Sequence, residues 1–335
     1  MAKVPTVPAL CVGDARTAVA RFGRSPRTVG IPLLPPDASE QTWLDARRDK
    51  VTASEIAAVL GRSPYDSPFS LWWRKQPDWQ GAGDLNSSMR IGQLLEPIIG
   101  QLWAESHPEA ALYRPGAALW GHYEHQWLAA TPDYFAVFSA PDGSKVWVEP
   151  VECKAYEGGE GWGHAGSDEM PFHIVCQAVV QCMVVGARYG HVIRLSGKRV
   201  TEYRVDIHDH AQLIEDLLHS GAAFHSSLYS GIVPDIDGHT ATGEALQTLY
   251  SNVEKGVEAS IPDELAEVFE EAYGQVKSWE VRLSEAKNRI RQIMGQNNAQ
   301  FGVRASTGDR LVTRSHYKRN GYTVGPAEID QIRKA

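Results

Sequence analysis

Beyond Pro108 the side-chain pattern of this chain changes from helical spacing to alternation and short apolar runs: AALWGHY, then QWLAATPDYFAVFS, then KVWVEPVECKAY. Runs of this kind form strands, and APDGS between the last two is a hairpin signal, with Asp142 and Gly143 supplying the positive-φ positions. A long helix, HIVCQAVVQCMVVGA, follows and ends at Gly186, after which YGHVIRLSG and RVTEYRVDI continue the sheet. Helices precede the strands. Ser39 caps the first, and Thr52 or Ser54 starts a second whose apolar face holds Ile56, Val59 and Leu60 before Gly61 stops it. A Trp-rich piece, FSLWWRKQ, and a loop, DWQGAGDLNSS, lead to MRIGQLLEPIIGQLWAESH, a helix with Ile91, Leu94, Leu95, Ile98, Ile99 and Leu102 on one broad face. Helices, an antiparallel meander, a helix and further strands predict an α/β or α+β core, a mixed sheet flanked by helices.

Residues 1–38 carry Pro5, Pro8, Pro26, Pro32, Pro35 and Pro36 without sustained periodicity, which predicts an extended or disordered arm. The folded core is expected over 39–230, its last helix over 209–230, followed by a connection over 231–260. The segment 261–335 differs in kind. Leu265, Phe269, Ala272, Val276, Trp279, Leu283, Ala286, Ile290 and Ile293 alternate steps of four and three, which is a heptad seam. Pro262, Asp263 and Glu264 at its start and Gly295 at its end are boundary signals. Self-association, partner docking and an intramolecular helical hairpin are the three uses open to it. A hairpin, FGVRASTGDRLVTRSHY, opens a tail in which 296–335 hold seven Lys/Arg against three Asp/Glu.

Composition narrows the class. A hydrophobic fraction of 43%, a charged fraction of 22% and ten tryptophans exclude a disordered chain. No apolar stretch is long enough to span a membrane, and the prolines of MAKVPTVPAL break any signal-peptide core, so a cytoplasmic protein is expected. Cys11, Cys153, Cys176 and Cys182 fit neither a disulfide framework nor a CxxC metal site. The net charge of -8 excludes binding of nucleic acid through a basic surface overall, yet leaves room for a carboxylate-held cation with a local basic track.

Chemistry concentrates in two places, Thr131-Pro132-Asp133 and Val151-Glu152-Cys153-Lys154. Strand alternation points Glu152 and Lys154 to one face and Cys153 to the other. Two carboxylates and a lysine then converge. Asp133, Glu152, the backbone carbonyl of Cys153 and waters suit a hard cation such as Mg²⁺, while the lysine steers the attacking water. The plain alternative is a solvated cross-strand ion pair. Against it, both residues sit beside Val146, Trp147, Val148 and Val151, where unpartnered charge is costly.

Five ordered motifs resemble the YqaJ-like viral recombinases, the lambda-exonuclease-like branch of the PD-(D/E)XK nuclease superfamily. They are WxxxRxxxVTAS (Trp43, Arg47, Val51 to Ser54), GQxxE (Gly92 to Glu96), TPD (Thr131 to Asp133), ECK (Glu152 to Lys154) and QxxxQxMxxGA (Gln177 to Ala187), within about 41–205. The resemblance implies a PD-(D/E)XK restriction-endonuclease-like core over 39–230. It implies Asp133 and Glu152 as metal carboxylates, Lys154 as the water-orienting lysine, Glu96 as a further acid of the metal site, direct or through water, and Gln177 as a glutamine facing the site. Arg47, Ser54 and Thr131 are implied as the pocket for a terminal 5′-phosphate, a task for which a guanidinium and hydroxyls are apt. It further implies two Mg²⁺ ions per site, or Mn²⁺, and 5′-to-3′ digestion of double-stranded DNA ends. The products are 3′ overhangs for a single-strand annealing protein in phage-type recombination, and the assembly is a homotrimer. One departure stands out: Tyr134 follows Asp133 where the family usually has glycine.

Other readings remain open at this point. A PD-(D/E)XK endonuclease shares the site, and a Cas4-like nuclease needs four cysteines for an iron-sulfur cluster, which the placement of Cys11 and Cys153 opposes. A catalytically silent DNA-binding or assembly protein is opposed by the joint presence of Asp133, Glu152 and Lys154. By themselves Glu96 reads as a helix-surface acid, Arg47 as part of a solvated basic run, and Gln177 and Gln181 as caps for buried polar groups. The loop EGGEGWGHAGSDE, 157–169, reads as a mobile lid or DNA-facing loop and equally as a disordered surface connection.

Overall fold

The computed structural model describes residues 30–35, 37–79, 87–115, 119–140, 142 and 146–315. Most of the arm, the residues of the APDGS turn other than Ala140 and Asp142, much of the loop before the third long helix, and the end of the basic tail lie outside them. The chain divides into two compact units, 1–251 and 252–335.

In the first unit, five strands form the main sheet: β3 (Ala110–Tyr113), β6 (Tyr134–Ser139), β7 (Val146–Ala155), β8 (Tyr189–Ser196) and β9 (Arg199–Asp206), adjacent in that order. All neighbours are antiparallel except β7 and β8, which run parallel. A parallel pair needs a crossover, and helix α5 (Phe172–Val185) supplies it. The sequence reading of a meander, a helix and further strands is thus a mixed sheet with α5 laid across it. A smaller sheet joins β1 (Ile31–Pro32), β4 (Trp120–Gly121), β5 (Leu128–Ala130) and β2 (Val51–Thr52) in that order. The end of the arm is therefore ordered, with Ile31 and Pro32 pairing with Gly121 and Trp120.

Helix α5 is apolar on nearly every side, and ten of its residues are buried. Such a helix belongs in the centre of a core. Cys176, Val179, Val180 and Val184 pack with Phe135, Val192 and Tyr203 of the main sheet and with Trp120, Leu128 and Ala130 of the smaller one. Gly186, in the left-handed conformation at φ 72°, ends it. The opposite face of the main sheet is covered by helix α4 (Ser87–Ser106), whose Ile99 and Trp103 close over Tyr134, Ala136, Val151, Cys153 and Ile193. Each such side chain removed from water contributes about 1.5–3 kcal/mol.

Three sequence readings need correction. The broad apolar face of α4 is buried only along Leu95, Ile99 and Trp103, while Ile91, Leu94 and Ile98 are exposed. Neither Thr52 nor Ser54 caps a helix, because Val51 and Thr52 pair with Leu128 and Ala129 as strand β2, and α2 (Ile56–Val59) begins after Glu55. The connection 231–260 contains a helix, α7 (Thr240–Leu249), capped by the His239 side chain and anchored by a 2.6 Å bond from Thr242 Oγ1 to Ser67 Oγ. Ser39 does cap α1 (Glu40–Arg48), accepting from Thr42 N at 3.1 Å. Ser67 likewise starts α3 (Pro68–Arg74), and α6 (Ala211–Ser230) closes the core beyond β9.

The second unit consists of α8 (Asp263–Gln296) and the antiparallel hairpin β10 (Phe301–Val303) and β11 (Arg310–Thr313).

Candidate active site

Strand register builds the site. Tyr134 pairs with Val151, so one residue further Asp133 stands opposite Glu152, where its Oδ2 accepts the Cys153 N–H at 2.7 Å. Val151 and Cys153 face α4, which leaves Glu152 and Lys154 to face α5. There Gln177 and Gln181, one helical turn apart, meet them. Glu152 Oε1 accepts from Lys154 Nζ at 2.7 Å and Gln177 Nε2 at 2.7 Å, and Oε2 accepts from Gln181 Nε2 at 2.6 Å. Lys154 Nζ also donates to Gln177 Oε1 at 3.0 Å. The alternative of a solvated ion pair fails, since the Glu152 side chain is only 6% exposed.

Glu96 reaches the same charge cluster from α4, with its Oε2 accepting from Arg114 at 3.1 Å. Burial pushes the Asp133 carboxyl well above the usual carboxylate range, and the charges of Glu152 and Glu96 push it further. Burial raises Glu96 as well, against the pull of Arg114. Burial alone would lower the Lys154 ammonium, but Glu152 and Asp133 outweigh it and hold its pKa above the ordinary lysine value. Lys154 is therefore a cation, suited to donating and not to accepting a proton. His173, its pKa lowered by burial and by Lys154, packs edge-on against Tyr65 at 5.4 Å near this ammonium.

A second cluster, on residues 43–55, is joined to the chain beside Asp133 through Thr131. Arg47 Nη2 donates to Thr52 Oγ1 at 2.9 Å and to Ser54 Oγ at 3.1 Å, and its guanidinium lies 4.3 Å from the Trp43 ring centroid. Trp43 Nε1 in turn donates to Thr131 Oγ1 at 3.4 Å. Arg47 and Ser54 are thus bonded directly, and Thr131 joins them through Trp43. The sequence reading missed what holds them. Glu55 Oε1 lies 3.5 Å from Arg47, while its Oε2 accepts from Thr52 N at 3.0 Å and Lys75 Nζ at 2.9 Å. Lys75 is buried and also donates to the carbonyls of Lys50 and Arg47. Burial opposes the Glu55 charge, yet Lys75 and Arg47 bring its pKa down to about 2. A lysine within FSLWWRKQ carried no signal for this, because only the fold sets Lys75 against the α1–β2 turn.

The loop 157–169 is neither loose nor a bare connection. Gly163 N donates to Glu169 O at 2.8 Å, Gly166 N to Glu202 O at 2.9 Å, and the Trp162 ring lies between Arg194 and Tyr203.

Donor chemistry decides what the acids can bind. Among the described residues no group of three His, Cys, Asp or Glu side chains stands at metal-ligand spacing, since these carboxylates are turned to Lys154, Gln177, Gln181, Arg114 and the Cys153 amide. The set still fits a hard divalent cation. Glu152 and Glu96 raise the proton affinity of Asp133, and Glu152 raises that of Glu96, beside the Lys154 ammonium, a balance that an oxygen-preferring cation relieves.

Residues 42–188 match the model of the YqaJ-like viral recombinase domain, which bears out the resemblance carried by the five motifs. The uncharacterized protein YqaJ of Bacillus subtilis (strain 168) is 23% identical over 273 residues, covering 79% of this chain and 81% of that protein. Among solved structures, the alkaline exonuclease LHK-Exo from Laribacter hongkongensis superposes with a TM-score of 0.44 at 18% identity, over 57% of this chain and 93% of its own. The LHK-Exo complex with dAMP gives 0.43 at 17% identity, with the same coverage. Among the described residues no helix is long and apolar enough to cross a membrane.

Proposed function

We propose that this chain is a metal-dependent deoxyribonuclease, an exonuclease that digests one strand of linear double-stranded DNA from its 5′ end. The observation that carries the reading is the hydrogen-bonded group of Asp133, Glu152, Lys154 and Gln177 at the end of β6 and β7, inside the span of the YqaJ-like match. Asp133, Glu152, the carbonyl of Cys153 and Glu96, directly or through water, would hold Mg²⁺ or Mn²⁺, two ions per site. When bound, such ions neutralise the scissile phosphate and lower the pKa of water.

The chain's own groups do the rest. Lys154, kept protonated, donates toward the attacking water or a phosphate oxygen, and Gln177 fixes its direction by binding both the ammonium and Glu152. Arg47, Thr52 and Ser54 offer a guanidinium and two hydroxyls to a terminal 5′-phosphate, with Trp43 stacked behind the guanidinium. Binding the end of the strand there while cutting at the acids sets 5′-to-3′ polarity. The 3′ overhangs serve a single-strand annealing protein in phage-type recombination in the bacterial cytoplasm, and the nuclease works as a homo-oligomer, a trimer by family resemblance.

The test is end-labelled linear duplex incubated with Mg²⁺, comparing wild type with Lys154→Ala. Wild type releases mononucleotides from linear DNA and spares closed circles, whereas the variant, still folded, releases none. Normal digestion by the variant removes Lys154 from the mechanism, and cutting of closed circles replaces the exonuclease with an endonuclease.

A further inference from the structure

Helix α8 carries an apolar seam that no other helix among the described residues of the second unit covers. Leu265, Phe269, Val276, Trp279, Leu283 and Ile293 are exposed by 57, 41, 56, 64, 55 and 60%. The intramolecular helical hairpin that the sequence leaves open is therefore not formed there. The hairpin β10–β11 meets the helix near its end, beside the buried Met294. At 1.5 Å per residue the helix is about 50 Å long, and its seam continues through about four heptads, enough for a stable coiled coil.

We propose that this seam is covered by α8 of a second copy of the chain, running antiparallel. Side-chain volume gives the first reason. In an antiparallel pair the two kinds of seam position face each other, and in the centred register Phe269 meets the partner's Ala286 and Leu283 meets the partner's Ala272. Val276 then meets the partner's Trp279, and Ile290 the partner's Leu265. Large faces small or medium in each layer, which fills space evenly. A parallel, in-register pair instead stacks Trp279 on the partner's Trp279 and Ala272 on the partner's Ala272, alternating overfilled layers with voids.

Charge gives the second reason, independent of the first. The first half of the helix carries Asp263, Glu264, Glu267, Glu270 and Glu271 against Lys277. Its second half carries Arg282, Lys287, Arg289 and Arg291 against Glu280 and Glu285. Antiparallel pairing lays the acidic half over the basic half. Beside the seam it sets Gln275 against the partner's Arg282 and Tyr273 against the partner's Glu280. Parallel pairing sets Arg282 against the partner's Lys287 on both flanks, a repulsion that disfavours it.

The full-length protein tests this. Light scattering or sedimentation at micromolar concentration is expected to give twice the mass for wild type that Trp279→Glu gives, whether the Trp279→Glu protein is a monomer or the trimer proposed above, with nuclease activity per chain unchanged. Val276→Cys and Trp279→Cys chains, each also carrying Cys11→Ser, are then oxidised separately and mixed, with the Cys11→Ser chain as the blank; Cys153, Cys176 and Cys182 are buried. A disulfide-linked pair forming chiefly in the mixture supports the antiparallel register. Equal masses for wild type and Trp279→Glu overturn the pairing. Crosslinking of either variant with itself overturns the direction, and no crosslink in any sample overturns the register.

Discussion

The Tyr134 ring occupies the space that Gly100 leaves open: a Cβ on Gly100 would lie 2.6 Å from two ring carbons. Tyr134 is fully buried, and its hydroxyl donates to the Glu96 carbonyl at 3.3 Å. The residue that departs from the family pattern beside Asp133 is thus matched by a glycine on the helix that carries Glu96. Gly100→Ala is expected to destabilise by about 1–3 kcal/mol through overpacking. In a Tyr134→Ala background the same change is expected to cost less, because the methyl enters a cavity. Urea denaturation of the four proteins measures this coupling, and additive effects would show that the two residues do not share the space.

Asp133 is unfavourable to the fold without a cation. Its folded pKa is raised, so its contribution runs against stability once pH rises above the unfolded carboxylate value, and the loss grows until the folded pKa is passed. Asp133→Asn keeps an oxygen for the Cys153 amide and removes the charge. We expect this variant to melt above wild type at neutral pH in chelator, to lose digestion, and to gain nothing from added Mg²⁺ or Mn²⁺ that stabilises wild type. A variant that melts below wild type in chelator would remove the repulsion argument.

The site was legible from the sequence wherever short-range periodicity fixes direction. Alternation alone sends Glu152 and Lys154 to the face opposite Cys153, and a four-residue step sends Gln177 and Gln181 to meet them. Partnerships set by tertiary packing were not legible. Leu94 and Ile98 share an apolar stripe with Ile99, yet the stripe is wider than the sheet face it covers, so only Ile99 is buried. Thr52 was read as a cap because a hydroxyl before an apolar run suits one, but pairing with Ala129 claimed its backbone for a strand. The helix 240–249 was hidden by its short length and by the glycines around it, and it is held by a buried threonine contact from a distant turn.

Glu55 lies 3.5 Å from Arg47, the guanidinium of the proposed phosphate pocket. Glu55→Gln leaves Lys75 buried against two carbonyls and frees the guanidinium, at an expected cost of about 3 kcal/mol in stability. The native Glu55 pKa of about 2 lies below its unfolded value, so its stabilisation is complete above the unfolded value and disappears as pH falls toward 2. Wild type is therefore expected to lose more stability than Glu55→Gln between pH 5 and about pH 2. If the pocket reading holds, the variant also prefers 5′-phosphorylated over 5′-hydroxyl ends less than wild type does. An unchanged preference would separate Glu55 from the pocket.

On the α4 face of the sheet, His191 of β8, opposite Val151 of β7, is held between two acids. Its Nε2 lies 2.6 Å from Glu149 and its Nδ1 2.7 Å from Glu202, which also pairs with His107, just beyond the end of α4, at 3.2 Å. Burial alone would lower the imidazole pKa, but hydrogen bonds to Glu149 and Glu202 reverse the sign and raise it. A raised histidine pKa contributes stability that is complete below the unfolded value and is lost as pH rises through the folded one. Stability is therefore expected to decline as pH rises above the ordinary imidazole value of 6.5. His191→Gln is expected to abolish this decline and to cost about 3–5 kcal/mol at pH 6, because Glu149, only 4% exposed, is left buried without its imidazolium partner. Urea denaturation of both proteins at pH 6 and pH 9 checks the sign: a wild-type protein that gains stability over that interval would mean that His191 is neutral between its two carboxylates.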